Sequence, residues 1–493
     1  GAYEGNLISL DISPPVISYA LLGNSSATPV RVFENVTITD RSGVNVTAGA
    51  APRVYYKKST DLNAFEGNSS TDNGWKWVES ASGSSPFWFT IDYGILNGGG
   101  ASTGDVIQYF VAAQDMNSTP NVGINSGIPN GTPLSVNLQP ENAEITGTVN
   151  SYTVVLSVSG TKTVGASDAD YASIGAAISA VSAAEITGPV VLSLIDASYN
   201  ESVTIPVLTG TSSTNTLTIK PAPGNTVIWT SNTNTSGTLR MNGADFVIID
   251  GSNNGTTSRD MTISNTDLEA FSTPVWISSL GTGAGSTNIT VKNCYLQGGS
   301  GLHFYSYGIF AAGQTLSETG TGDDNDNLTI QNNVITKVYT GIYARASSLG
   351  VNNGLIISGN TIGSSTSEDH VGDFGMDLAG ANGASIANNT IFNLGSYLPG
   401  PTGILIGTGF VSSTINANRI FGLHYTGEDG YGARGMEINT GNAASALTIS
   451  NNLIYDLTGN GSDGYLIYAI VGIRIAGNTG GVNIWHNSVN LYG

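Results

Sequence analysis

The stretch Leu328-Thr329-Ile330-Gln331-Asn332-Asn333-Val334-Ile335 decides the fold, because the same phrase keeps returning with different spellings. It recurs at Ile289–Leu296, Leu355–Ile362, Ser385–Ile391, Thr414–Ile420, Leu447–Ile454 and Val482–Val489, with a weaker copy at Met261–Thr266. With Asn333 as marker, successive copies lie 29, 39, 27, 29, 29, 34 and 35 residues apart. A second phrase alternates with it, a glycine followed by alternating side chains. It reads Gly308-Ile309-Phe310, Gly341-Ile342-Tyr343, Gly375-Met376-Asp377, Gly403-Ile404-Leu405, Gly435-Met436-Glu437 and Gly472-Ile473-Arg474. Each repeat thus carries two short strands and a turn, and none can bury its apolar residues alone. Stacked as coils they share one continuous core, which is the signature of a parallel β-helix. Asn at the corner tolerates unusual backbone angles, and equivalent asparagines can stack as a ladder.

Composition supports this reading and narrows the partners. The chain has 493 residues, enough for a solenoid and an accessory domain, and charged residues make up only 11%. A net charge of -20 disfavours nucleic acid and anionic membrane, and no membrane-length apolar run is present. The single cysteine, Cys294, forms no intrachain disulfide and sits where other coils carry Asn. Stability must therefore come from burial and hydrogen-bond ladders.

Upstream of the repeats the pattern changes. Residues 1–13 read as a polar leader closed by Pro14-Pro15. Aromatic-rich alternating runs follow at Val16–Leu21, Val30–Thr39, Arg53–Lys57, Trp75–Glu79, Phe87–Asp92 and Val106–Gln114, with turn residues between them. That spacing predicts an antiparallel sandwich over 14–140, followed by a linker over 141–150. A helix is predicted from Asp170 to Ala184, with Tyr171, Ile174, Ile178 and Val181 on one stripe. Placed before the first coil, it would cap the apolar end of the solenoid.

Several phrases also carry a resemblance. NGADFVIIDGSNNGTTSRDMTISN (242–265), GPVVLSLIDASYNES (188–202), TLTIKPAPG (216–224) and DYASIGAAISA (170–180) resemble the right-handed parallel β-helix region, a pectate-lyase-like superfold, of large secreted surface proteins of Bacteroidetes-type bacteria. PRVYYKKSTDLNAFEGN (52–68), NGWKWVE (73–79), FTIDY (89–93) and GDVIQYFVAAQD (104–115) resemble the immunoglobulin- or fibronectin-like module that precedes it. The resemblance implies an all-β chain: an N-terminal immunoglobulin-like β-sandwich, then a right-handed parallel β-helix over 151–493 with a short N-terminal capping helix. It also implies secretion to the extracellular space or outer cell surface. Most such proteins have no assigned biochemical activity.

Candidate sites follow from the stacking. The third position of the glycine-led strands gives an outward row: Phe310, Tyr343, Asp377, Leu405, Glu437, Arg474. With rungs about 4.8 Å apart, Glu437 and Arg474 become neighbours, and Asp377 and Glu437 flank Leu405. No pattern of a known polysaccharide-cleaving family is matched, and the row reads as a solvated face with scattered charges. The acidic run Asp323, Asp324 and Asp326 is a candidate calcium loop without the spacing of an EF-hand. Loops at 368–373 and 428–430 make an acidic rim beside Tyr397, Tyr425 and Tyr431, a candidate surface for a glycan or a partner protein. His303 stands beside the aromatic run Phe304, Tyr305 and Tyr307.

The expectation is a non-enzymatic extracellular structural or adhesive module of a larger surface protein. Its apparently uncapped coil at Gly493 suggests head-to-tail self-association into filaments. Two alternatives are a carbohydrate-binding module and a polysaccharide lyase or hydrolase. No cofactor other than calcium is expected.

Overall fold

The computed structural model describes residues 11–138, 144–234, 236–269, 271–301, 304–396, 400–425, 427–428, 430–461 and 469–491. Contacts divide the chain into two units, Gly1–Ser157 with Ala183–Glu185, and Val158–Ser182 with Ile186–Gly493.

The N-terminal unit holds two main sheets. Val30–Thr39 lies antiparallel between Val16–Ser18 and Phe87–Asp92. In the other, Val106–Gln114 pairs antiparallel with Arg53–Lys58 and Asn150–Val155, and Arg53–Lys58 pairs with Lys76–Glu79. One core joins Phe33, Val36 and Phe89 of the first to Tyr56, Tyr109 and Val111 of the second. Alternation sends Tyr55 and Phe110 to the opposite face, where they stack at 5.1 Å and gather Phe65 and Trp75. The aromatics of this unit are thus largely core, while Trp88 remains exposed. Because Asn150–Val155 pairs with Val106–Gln114, the contact boundary falls at Ser157, seven residues beyond the expected end of the linker at 150.

The second unit is built of coils. Three long parallel sheets, of eleven, eleven and nine strands, each take one strand from nearly every coil. In a representative coil Thr329–Gln331, Val334–Thr336 and Thr340–Arg345 enter the first, second and third sheets. This is the parallel β-helix arrangement that the repeats require.

Its interior is a set of matched rows. Ile330, Ile357, Ile386, Ile415 and Ile449 stack in the first sheet, and Ile335, Ile362, Ile391, Ile420 and Ile454 in the second. All ten are fully buried. Burying an isoleucine contributes roughly 1.5–3 kcal/mol, so these rows dominate cohesion between coils.

Two sequence features become structural rules. The corner asparagines form a buried ladder: Asn333 Nδ2 donates to Asn360 Oδ1 at 3.1 Å, Asn360 to Asn389 at 3.0 Å, Asn389 to Asn418 at 2.9 Å and Asn418 to Asn452 at 3.0 Å. Each Nδ2 also donates to a backbone carbonyl of the preceding coil, Asn389 to Ile357 at 2.9 Å for example. Cys294 begins the ladder, its backbone N–H donating to Asn333 Oδ1, and full burial pushes its thiol pKa up. The residue before each ladder position is left-handed, at Asn332, Gly359, Asn388, Ala417, Asn451 and His486. The glycine column has a steric cause. A Cβ on Gly375 would lie 2.5 Å from the Gly403 carbonyl oxygen and 2.6 Å from Ile391 Cγ2, so the third sheet approaches the second only with glycine there.

The α-helix Ile174–Ser182 buries Ile174, Ala177, Ile178 and Val181 and packs on Val203–Ile205, the first strand of the third sheet. Tyr171 lies outside it, in a bridge with Val164. The Ile174 and Gly175 N–H groups donate to the Glu201 carboxylate at 2.8 and 2.9 Å, a favourable charge for a helix N-terminus. Among the described residues no helix is long and apolar enough to cross a membrane.

Candidate functional site

The third sheet carries the site. Its register aligns Trp276, Phe310, Tyr343, Asp377, Leu405, Glu437 and Arg474. This is the outward row derived from the repeats, and Glu437 pairs with Arg474 at 2.9 Å and also with Arg434 at 2.7 Å. The solvated face expected for the row is corrected. Phe310 and Tyr343 are at most 1% exposed, Asp377 is 7% and Glu437 9%.

Over Trp276, Phe310 and Tyr343 the cover is a strap between repeats, held by aromatic side chains of the sheet. Trp276 Nε1 donates to the Gly313 carbonyl at 3.0 Å, and Tyr307 Oη to that of Ser317 at 3.0 Å. Tyr343 Oη donates to the Gly320 and Glu318 carbonyls at 2.8 and 3.2 Å. Leu316 packs into the cluster of Trp276, Tyr307, Phe310 and Tyr343, in which Phe310 and Tyr343 stack at 4.8 Å. A second core has therefore formed on the outside of the coil.

Where that cluster ends a cleft of about 420 Å³ opens, walled by Phe304, Tyr305, Tyr307, Tyr339, Tyr343 and Phe374. Its charged lining is Glu318, Arg345, Asp373 and Asp377. Asp373 is 1% exposed; it accepts from Tyr339 Oη through Oδ2 at 3.0 Å, and its Oδ1 has no hydrogen-bond partner. Burial pushes its pKa up to about 7, with Tyr339 and Arg434 pulling down and the Asp377 charge pushing further up. Burial likewise raises Asp377 to about 6 against the opposing charge of Arg345. Arg345 Nε stands 3.4 Å from Asp377 Oδ1, which also lacks a formed hydrogen bond. On the rim a hydrogen bond to Glu318 pushes the Tyr305 phenol up.

The arrangement has clear chemical capacities. Six aromatic residues line the cleft, of which Phe304, Tyr305 and Phe374 are at least partly exposed and offer apolar faces, and two dry carboxyl groups hold unfilled hydrogen-bonding oxygens. Burial moves both carboxyl groups towards their protonated forms, in which such a group can donate as well as accept hydrogen bonds.

The other candidate residues lie elsewhere. Tyr425 is 5% exposed and packs edge-on against Tyr431 at 5.5 Å; neither lines the cleft. Tyr397 and His303 lie outside the described residues. Asp323 accepts from Ser347 and Thr282, Asp324 from the Gly283 N–H and Asp326 from Asn353. Their carboxylates thus turn to separate donors, and no group of three His, Cys, Asp or Glu side chains suited to a metal ion occurs among the described residues. Tyr339 was missed by sequence reasoning, and Asp373 was read only as the last residue of the acidic rim loop 368–373, not as a buried carboxyl beside Asp377. Their signal was a column two residues before each strand glycine, Ser306, Tyr339, Asp373, Pro401, Ala433 and Ile470, in which Asp373 is the one acidic member.

No known family profile matches the sequence, and no curated protein does. Solved structures give distant likenesses. A pectin methylesterase from Aspergillus niger is 13% identical with a TM-score of 0.32, over 69% of this chain and 88% of that one. A GH136 lacto-N-biosidase from Eubacterium ramulus is 10% identical with a TM-score of 0.38, over 67% and 68%. The catalytic domain of a GH87 alpha-1,3-glucanase in complex with tetrasaccharides is 11% identical with a TM-score of 0.25, over 94% and 97%.

Proposed function

We propose that the β-helix is a glycan-binding unit and that the cleft at Asp373 and Asp377 is its binding site. The observation that carries this reading is the pairing of two nearly dry carboxyl groups with a wall of six aromatic residues. Aromatic rings pack against the C–H faces of pyranoses, and buried carboxyl oxygens without partners are satisfied by sugar hydroxyls. A structural scaffold needs neither. The reading replaces the purely structural or adhesive module expected from the repeats, and it retains their extended coil as the support that holds the cleft rigid. Within it the chain is a secreted surface protein, and the N-terminal unit an immunoglobulin-like module; the quoted sequence phrases support both statements.

Glycan-array screening followed by calorimetry tests the reading. Phe374→Ala is expected to weaken binding of an array hit at least about tenfold, equivalent to ~1.4 kcal/mol. Phe421→Ala, in the Phe392–Phe421–Tyr455 stack outside the second sheet, is expected to leave it unchanged. Equal effects of the two substitutions would place binding elsewhere.

A further inference from the structure

We propose that the cleft hydrolyses the glycan it binds, with Asp373 as proton donor to the glycosidic oxygen and Asp377 as the base that activates water. This inference rests on the glycan-binding reading and extends it from recognition to reaction.

The geometry gives the two carboxyl groups different neighbours on one strand edge. Asp373 immediately precedes the strand Phe374–Ala379 and Asp377 lies within it, so both line the same cleft. Asp373 has a phenol, Tyr339, as its hydrogen-bond partner, and its other oxygen is unpartnered and dry. Asp377 has a guanidinium beside it, Arg345, which favours its ionised form. Two carboxyl groups in unequal surroundings divide into an acid and a base. The remaining carboxylate of the row, Glu437, is held between Arg434 and Arg474 and does not line the cleft.

The step balances as a hydrolysis. Asp373 gives its proton to the bridging oxygen as the bond from that oxygen to the anomeric carbon breaks, and the bonding electron pair stays on the departing oxygen. The oxygen of one water molecule bonds to the anomeric carbon, and a proton of that water passes to Asp377. One water is consumed, and the carboxyl groups regain their starting states by proton exchange with solvent. The Asp377 carboxylate offsets the positive charge that develops on the sugar. A single displacement by water inverts the anomeric configuration. Activity needs Asp377 ionised and Asp373 protonated, so the profile is a narrow bell with limbs near 6 and 7.

The test uses the full chain with neutral α- and β-linked hexopyranose oligosaccharides of three to six units, and with the matching 2,4-dinitrophenyl glycosides. Hydrolysis in ¹⁸O-labelled water is followed by mass spectrometry and the product anomer by NMR. We expect label at the anomeric carbon, inverted configuration and the narrow pH bell. Asp373→Asn should lower kcat on oligosaccharides at least about 100-fold with little change in KM. It should retain most activity on the dinitrophenyl glycosides, whose leaving group needs no proton. That contrast distinguishes proton donation from a structural role, because misfolding would lower both. Asp377→Asn should lower both rates. Equal loss by Asp373→Asn on the two substrate types, or retained configuration, overturns the roles assigned. Binding without turnover overturns hydrolysis and leaves the glycan-binding reading standing; no binding by any oligosaccharide overturns both.

Discussion

Tyr339 and Asp373 occupy equivalent positions in successive coils: the Asp373 N–H donates to the Tyr339 carbonyl at 2.8 Å, and the Tyr339 hydroxyl returns a 3.0 Å bond to Asp373 Oδ2. The backbone pair is the ordinary ladder contact between coils. The side-chain pair gives a nearly dry carboxyl group of the cleft lining one donor, leaving its second oxygen buried without a partner. Because that donor favours the ionised form, Tyr339→Phe should raise the Asp373 pKa further, by about one unit. A carboxyl infrared or ¹³C NMR titration checks this. An unchanged or lowered pKa would mean that Tyr339 does not control the group.

Asp373 also links stability to pH. Its folded pKa, near 7, lies above the ordinary value of 3.8. Between those values the native state binds more protons than the unfolded state, so stability falls as pH rises. The contribution is fully present below about pH 4 and lost above about pH 7, on the order of 4 kcal/mol at most. Asp373→Asn removes this slope. The Tm difference, variant minus wild type, should be clearly more positive at pH 8 than at pH 4, and equal differences would contradict the burial argument.

The asparagine ladder makes a local prediction. Asn389 accepts from the Asn360 backbone and side chain and donates to the Ile357 carbonyl and Asn418 Oδ1. Asn389→Ala leaves those buried groups unmet, at about 1–3 kcal/mol each for the groups that stay dry. Because repeat arrays open by parts, hydrogen exchange reports this better than a global midpoint. Faster exchange should centre on the Asn360 amide; a uniform change along the solenoid would argue against coil-by-coil bonding.

One corner residue is open to improvement. Ala417 has φ 56° where other coils place Asn, Gly or, at His486, His. A left-handed conformation costs an ordinary residue roughly 1–2 kcal/mol, and Asn less. Ala417→Asn should therefore raise thermal stability by about 0.5–1 kcal/mol, measured by calorimetry. A lower Tm would show that the turn is set by something other than φ.

The coil was legible in the sequence because its physics is periodic. The ladder asparagines, the strand glycines and the row from Phe310 to Arg474 each recur once per coil, and register follows from recurrence. The burial of that row was not legible. Over Phe310 and Tyr343 the cover is the strap carrying Gly313, Leu316, Ser317 and Gly320, an irregular insertion whose anchors are hydroxyl and indole groups up to 37 residues away. Nothing in Asp377 itself distinguishes a solvated carboxylate from a dry one. Asp373 was hidden for a related reason, since it closes the acidic run 368–373 and read as loop, although its amide sits in the inter-coil ladder. Trp276, Tyr307 and Tyr343 could have given warning, because several large aromatics on one outward face call for a cover.

The most direct test of the central claim is a crystal structure of the chain soaked with an oligosaccharide identified on the array. The account requires a sugar ring against Phe374, with hydroxyl or glycosidic oxygens within hydrogen-bond distance of the Asp373 and Asp377 carboxyl groups. A glycan bound on another face, with the cleft filled only by water, would contradict it.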